Sequence, residues 1–80
     1  MNYNDLLKNN VDKIHSTSMG IDRIKRNLNL DIDVVEYIKK IVLDSKTIIN
    51  KKGKNYYCEN NNIIVTINSY SYTIITAHIK

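Results

Sequence analysis

Two histidines, His15 and His78, are the residues in this chain best suited to proton transfer near neutral pH. Two imidazoles with cations nearby can cleave RNA without a metal ion. One imidazole removes the 2′-hydroxyl proton, the other protonates the leaving oxygen, and the cations stabilise the phosphorane. A metal-independent endoribonuclease is therefore one hypothesis. The alternative is that both histidines are surface or capping residues, as is usual near a chain terminus or a helix end.

The segment around His78 has the composition of a β-strand, and alternation divides its side chains between two faces. One face carries Tyr72, Ile74, Thr76 and His78. The other carries Ser71, Thr73, Ile75, Ala77 and Ile79. The second set is mostly small or aliphatic, so we expect it to pack beneath helices. Tyr72, Thr76 and His78 would then lie on an open sheet surface and, with His15, are the candidate catalytic residues.

The hydroxyl and thiol residues form no nucleophile motif. The sequence has no Gly-x-Ser-x-Gly segment, and Thr17, Ser18, Thr73 and Thr76 fit strands or helix caps by propensity alone. Cys58 has no CxxC partner and is expected to be a small packing residue. A zinc site needs about four Cys or His ligands, and the chain has three such residues at scattered positions. We expect no metal and no cofactor.

A lysine-rich turn, Lys51-Lys-Gly-Lys54, precedes the aromatic pair Tyr56 and Tyr57. Cations that bind phosphates and rings that stack on bases are the components of a site for single-stranded nucleic acid. The candidate binding residues are Lys51, Lys52, Lys54, Tyr56 and Tyr57, together with Arg23 and Arg26 of the second helix. The alternative is a charged hairpin that keeps a sheet edge soluble.

The positive charge is concentrated in the second half of the chain. Residues 1–44 contain seven basic and seven acidic side chains, whereas residues 45–80 contain five lysines against Glu59 alone. The net charge of +4 therefore comes from the second half. This distribution favours an anionic partner, most simply RNA.

Eighty residues are enough for one domain with a modest apolar core. A single cysteine excludes an intramolecular disulfide and fits a reducing compartment. The N-terminal residues lack the basic and apolar regions of a signal peptide, and no apolar run approaches the ~18 residues of a membrane span. We expect a cytoplasmic protein that does not bind a membrane.

The periodicity of apolar residues changes from helical to alternating near residue 46. Three helices are expected: one from an Asn4 cap to Ile14, one capped by Thr17 or Ser18, and one from Asp33 to Asp44. Four strands are expected at 47–50, 55–59, 63–67 and 72–79. The fold class is α+β, with three N-terminal helices packed on one face of a four-stranded antiparallel meander. Residues 1–80 form a single domain, helical over 1–44 and a sheet over 46–80.

Three segments, Gly20–Leu28, Lys52–Tyr57 and Ile64–His78, resemble the signature of a family of short uncharacterised bacterial proteins, described as a domain of unknown function. The resemblance extends from His15 onward and implies a compact bacterial domain without a stated activity. At the level of fold alone, helices followed by a four-stranded antiparallel sheet resemble RelE-like and colicin-like ribonuclease toxins. That likeness implies chemistry on the open sheet face, at Tyr72, Thr76 and His78.

A non-enzymatic interaction module is the remaining hypothesis. A small domain gains stability from a partner, and a sheet edge or a helical face provides a docking surface. The module would be a homodimer, an adaptor or a small inhibitor.

Overall fold

The computed structural model describes residues 3–80, with side chains from residue 6 onward. The helices are α1 (Tyr3–Asn9), α2 (Ser18–Leu28) and α3 (Val34–Leu43), with a 3₁₀ turn at Val11–Lys13. The strands are β1 (Ile48–Lys52), β2 (Asn55–Asn60), β3 (Ile63–Asn68) and β4 (Ile74–Ile79). The sheet order is β1-β2-β3-β4, and each neighbouring pair is antiparallel. The predicted α+β class is confirmed.

Capping side chains define the starts of α2 and α3. Thr17 Oγ1 accepts a hydrogen bond from the Gly20 N–H at 3.0 Å, and Asp33 Oδ1 accepts one from the Glu36 N–H at 3.1 Å. Both side chains satisfy an amide that has no partner within its helix. The prediction for α1 was less accurate, because this helix ends at Asn9 and a 3₁₀ turn follows. Asn4 lies within α1, and its side chain is outside the described residues.

Two-residue turns connect β1 to β2 and β2 to β3. Gly53 has φ = 61°, which fits the first central position of a type II′ turn. Asn61 has φ = 54° in the second turn, where asparagine tolerates the left-handed conformation.

One hydrophobic cluster joins the helices to the sheet. α2 packs along β4, α1 contacts β1, and Asn27 of α2 donates a hydrogen bond to the Ala77 carbonyl at 3.3 Å. The strands contribute Ile49, Tyr56, Cys58, Val65, Ile67, Ile74 and Ala77 to this cluster. Within the described part of the chain, no helix is long and apolar enough to cross a membrane.

A β-bulge in β4 changes the predicted alternation. Thr66 pairs with Thr76 and Ile67 with Ile74, so Ile75 is an extra residue without a partner. Ile74 therefore turns into the core at 3% exposure, whereas Ile75 is 44% exposed. Ala77 is buried and His78 exposed, as predicted. The predictions that Ile74 faces outward and that Ile75 and Ile79 lie beneath the helices were wrong, since Ile79 at the strand end is 55% exposed.

Candidate functional site

The loop between β3 and β4, residues 69–73, is organised by Asn68. The Asn68 Oδ1 accepts hydrogen bonds from the backbone N–H groups of Tyr70 and Ser71, both at 2.9 Å. Its backbone carbonyl accepts from the Tyr72 N–H at 2.9 Å, and its own N–H donates to the Thr73 carbonyl at 2.9 Å. One residue thus fixes most of the loop, which we call the β3–β4 loop.

Tyr72 adopts a left-handed backbone conformation in this loop, with φ = 60°. An L-residue with a bulky side chain pays about 1–2 kcal/mol for that conformation. Its carbonyl accepts from the His15 N–H at 3.1 Å, and its ring centroid lies 5.7 Å from the Lys13 Nζ. Strain of this kind persists only where surrounding contacts impose it, and it is enriched at functional sites.

The segment containing His15 is joined to the loop by backbone hydrogen bonds. The Ile74 N–H donates to the His15 carbonyl at 2.8 Å, which complements the bond from the His15 N–H to Tyr72. His15 and Thr73 thereby form an isolated parallel bridge. This pairing places an exposed imidazole beside the loop although 58 positions separate the two residues in sequence.

The His15 ring connects a backbone carbonyl to two hydroxyl groups. Its Nδ1 lies 2.8 Å from the Lys13 carbonyl oxygen, and its Nε2 lies 3.1 Å from Thr73 Oγ1. Thr73 Oγ1 in turn lies 2.9 Å from Ser71 Oγ. A carbonyl oxygen only accepts, so in the neutral ring Nδ1 carries the hydrogen and Nε2 accepts from Thr73. We call Ser71, Thr73 and His15 the hydroxyl–imidazole chain.

This geometry is that of a base held in position for proton transfer. A hydroxyl contacts the basic nitrogen of an imidazole, and a third group fixes the other nitrogen. The sequence indicated His15 and Tyr72 as candidates but not Thr73, Ser71 or Lys13. Only Ser71 and Thr73, two hydroxyls separated by one residue after Asn68, could have signalled the chain, and that spacing is common in turns.

The lysine-rich turn, residues 51–54, contacts the same loop, because the Ser69 N–H donates to the Lys54 carbonyl at 2.7 Å. We call this turn the lysine tip. Lys52 and Lys54 are exposed, whereas Lys51 is half-buried. The Ser69 hydroxyl oxygen beside this contact is buried and has no hydrogen-bond partner among the described residues.

The aromatic candidates differ in exposure. Tyr56 is 1% exposed and belongs to the core, which corrects its assignment as a nucleic-acid-binding residue. Tyr57 is half-buried and points to the other side of the sheet, as strand alternation requires. Tyr70 in the β3–β4 loop is 75% exposed and is the most accessible ring of the site, although the sequence did not distinguish it.

The other predicted site residues lie elsewhere. His78 is exposed opposite Ile64, and Thr76 is half-buried opposite Thr66. Along an extended strand the five positions from Thr73 to His78 span roughly 16 Å. The structure therefore gives no support to an acid–base pair of His15 and His78. Arg23 and Arg26 are exposed on α2, the helix that packs along β4.

A cleft of about 250 Å³ lies at the opposite end of the sheet, between α3 and the β2–β3 turn. Its lining is Tyr37, Lys40, Ile41, Asp44, Asn60, Asn61 and Ile63. Hydrogen bonds from the Lys46 N–H and the Asn60 amide lower the pKa of Asp44. Asn60 also donates to Thr47 Oγ1 at 2.9 Å, and Thr47 donates to the Ile41 carbonyl. Asp44 and Asn60, two polar residues of this lining, therefore hydrogen-bond to each other.

Within the described part of the chain, no three His, Cys, Asp or Glu side chains approach one another as a metal site would require.

The candidate site consists of the hydroxyl–imidazole chain, the β3–β4 loop and the lysine tip. We call this end of the sheet the loop end.

A family model matches residues 8–78, and its family is described as a protein of unknown function (DUF3781). The match covers most of the 80 residues, so the chain belongs to this family. The predicted membership of a family of uncharacterised proteins is confirmed. No curated protein and no solved structure matches the chain, so the likeness to RelE-like and colicin-like toxins gains no support.

Proposed function

We propose that this member of the DUF3781 family binds single-stranded RNA at its loop end. The observation that carries the proposal is the hydrogen bond from the Ser69 N–H to the Lys54 carbonyl at 2.7 Å. This bond holds the lysine tip against the β3–β4 loop. Cations and an exposed ring are thereby combined on one surface.

The charges and rings at the loop end fit a single strand. The lysine tip and the β3–β4 loop contain three lysines and no acidic residue. Lys13 adds a further cation beside the Tyr72 ring. Phosphates would bind the ammonium groups, and an unpaired base would stack on Tyr70, which is 75% exposed.

We further infer that the three helices cover the same face of the sheet and leave the other face open. Support comes from the burial pattern across all four strands, since Ile49, Cys58, Val65 and Ala77 are paired neighbours and all are buried. Their opposite-facing neighbours Ile48, Glu59, Ile64 and His78 are exposed or half-buried. RNA bound at the loop end would have room to continue onto this open face.

A cytoplasmic location would suit this function. Cys58 is a buried free thiol, which fits a reducing compartment.

Fluorescence anisotropy with a labelled oligouridylate tests RNA binding. The variant Lys52→Gln/Lys54→Gln removes two charges from the loop end, and Lys40→Gln/Lys46→Gln removes two exposed charges elsewhere. We expect the first variant to bind more weakly and to lower the slope of log affinity against log salt by about 1.4, because single-stranded binding releases about 0.7 counterion per phosphate. The second variant should keep most of the affinity.

Tyr70→Ala supplies the complementary test of stacking. One base–aromatic stack contributes about 1–3 kcal/mol, so the variant should lose on the order of tenfold in affinity. For the two lysine variants described above, equal losses of RNA affinity would contradict binding at the loop end. An affinity of the wild type that does not change with salt would contradict it as well.

The second candidate function is self-association through the edge of the sheet formed by β1. Both edge strands carry exposed isoleucines, and Ile48 on β1 is 61% exposed. Asn27 of α2 covers part of the β4 edge, which leaves β1 as the more open one. Pairing of two β1 edges would bury both copies of Ile48. Sedimentation equilibrium should then show a dimer in the wild type and a monomer in Ile48→Lys.

A further inference from the structure

We propose that Thr73 and His15 form a proton relay that removes the 2′-hydroxyl proton of bound RNA, so that the protein cleaves the strand without a metal ion. This inference rests on the proposed function, because the RNA must first lie at the loop end. It differs from a pairing of two histidines in that a single imidazole acts through a hydroxyl group.

The orientation of His15 favours such a relay. Its Nδ1 is held by the Lys13 carbonyl at 2.8 Å, which leaves Nε2 as the basic nitrogen. Thr73 Oγ1 donates to that nitrogen across 3.1 Å. A hydroxyl oxygen has two lone pairs, so Thr73 can accept from Ser71 at 2.9 Å and still accept from a substrate hydroxyl.

The chain is accessible to a bound strand. His15 and Ser71 are exposed and Thr73 is half-buried. The strained residue Tyr72 lies between the two hydroxyl residues, and its carbonyl bonds to the His15 N–H. The strained turn therefore fixes the distance between the imidazole and the loop, which is the role expected of strain at a reactive site.

The reaction balances without a further reactant. The 2′-oxygen attacks phosphorus and its proton passes to Thr73 Oγ1, while the Thr73 proton passes to His15 Nε2. The bond from phosphorus to the 5′-oxygen breaks, and that oxygen takes a proton from water. The imidazolium returns its proton to the resulting hydroxide. The products are a 2′,3′-cyclic phosphate and a 5′-hydroxyl, and nearby lysines offset the charge of the phosphorane.

The experiment measures cleavage and binding on separate strands. Cleavage is followed in EDTA with a labelled oligouridylate, and binding with its 2′-O-methyl analogue, which lacks the nucleophile. The wild type should release a 2′,3′-cyclic phosphate end. His15→Ala and Thr73→Val should each lower the rate about 10²–10⁴-fold, and both should still bind the analogue. Thr73→Ser keeps the hydroxyl and should retain most of the rate.

His78→Ala is compared directly with His15→Ala. Loss of cleavage in His78→Ala but not in His15→Ala would overturn the relay and move the chemistry to the open sheet face. A wild type that binds the analogue but leaves ribose strands intact would overturn the relay and leave RNA binding standing. Failure to bind the analogue would overturn both proposals. Thermal melts of every variant confirm that the fold is retained, and Thr73→Ser provides the test if Thr73→Val fails to fold.

Discussion

Tyr72 shows how a single residue can hold two distant segments in contact. Its left-handed conformation, with φ = 60°, directs its carbonyl toward the His15 N–H and its own N–H toward Asn68. Glycine would occupy this conformation without steric penalty. The residue present is instead a tyrosine, and its ring centroid lies 5.7 Å from the Lys13 Nζ. Tyr72 also packs against the hydrophobic cluster, and surrounding contacts of this kind are what hold a strained backbone in place.

Because of the strain at Tyr72, the variants with alanine and glycine at this position should have the reverse of their usual order of stability. Tyr72→Ala and Tyr72→Gly both remove the ring, but only alanine retains the left-handed penalty. We therefore expect Tyr72→Gly to be the more stable variant by about 1 kcal/mol, whereas glycine is usually the less stable residue. Urea denaturation of the two variants measures the difference. Equal stabilities would show that the turn relaxes once the ring is removed.

Cys58 gives the stability of the protein a defined pH dependence. Burial raises the pKa of its thiol from 9.0 to about 12. In the unfolded chain the thiol ionises near pH 9, while the folded protein retains the proton. Above pH 9 the unfolded state binds fewer protons, so stability falls as pH rises.

We expect the wild type to lose about 1.4 kcal/mol relative to Cys58→Ala between pH 8 and pH 10, with most of the loss above pH 9. Urea unfolding at pH 8, 9 and 10 measures this loss. The alanine variant corrects for lysine and tyrosine titration, which both proteins share. Parallel pH profiles would mean that the thiol ionises equally in both states.

Among the helices, α3 begins where the sequence predicts, because its start depends on local chemistry. The Asp33 carboxylate caps the Glu36 N–H at 3.1 Å, and both residues are visible in the sequence as a capping pair. Strand alternation similarly predicted the inward side of β3. These features depend on residues a few positions apart.

Asp33→Ala should destabilise the protein by about 1 kcal/mol, because the Glu36 N–H loses its acceptor. Asp31→Ala is the matched control, since Asp31 is exposed and caps no helix. Its effect should stay within about 0.5 kcal/mol. Thermal unfolding of both variants checks the prediction, and equal effects would point to general charge removal rather than capping.

Two elements could not be predicted, and both depend on distant residues. The bulge at Ile75 is set by the pairing of β4 with β3, and the sequence of β4 alone still alternates acceptably. The bridge between His15 and Thr73 joins segments 58 positions apart. The sequence therefore indicates His15 and Tyr72 as separate candidates but does not show that His15 contacts Thr73. Tyr56 was a candidate binding residue because the sequence of β2 does not decide which of its two faces is buried.

At the scale of the whole molecule, the meander separates two kinds of surface. The loop end combines the lysine tip, the β3–β4 loop and His15. The other end carries the Asn61–Asn62 turn and the cleft with Asp44. Asp44 places a carboxylate at that end beside Lys40, whereas the lysine tip and the β3–β4 loop contain no acidic residue to repel a polyanion. RNA should therefore distinguish one end of the sheet from the other.

Titration of the labelled protein with the 2′-O-methyl oligouridylate tests this separation by nuclear magnetic resonance. We expect the largest amide shifts at residues 13–17, 51–55 and 68–74, since these segments meet at the loop end. Amides at 40–47 and 60–63 should move little, because they surround the cleft. The shifts should shrink as salt rises, as expected for contacts with phosphates. Shifts centred on Lys40 and Asn61 instead would assign the anion to the cleft and contradict an RNA site at the loop end.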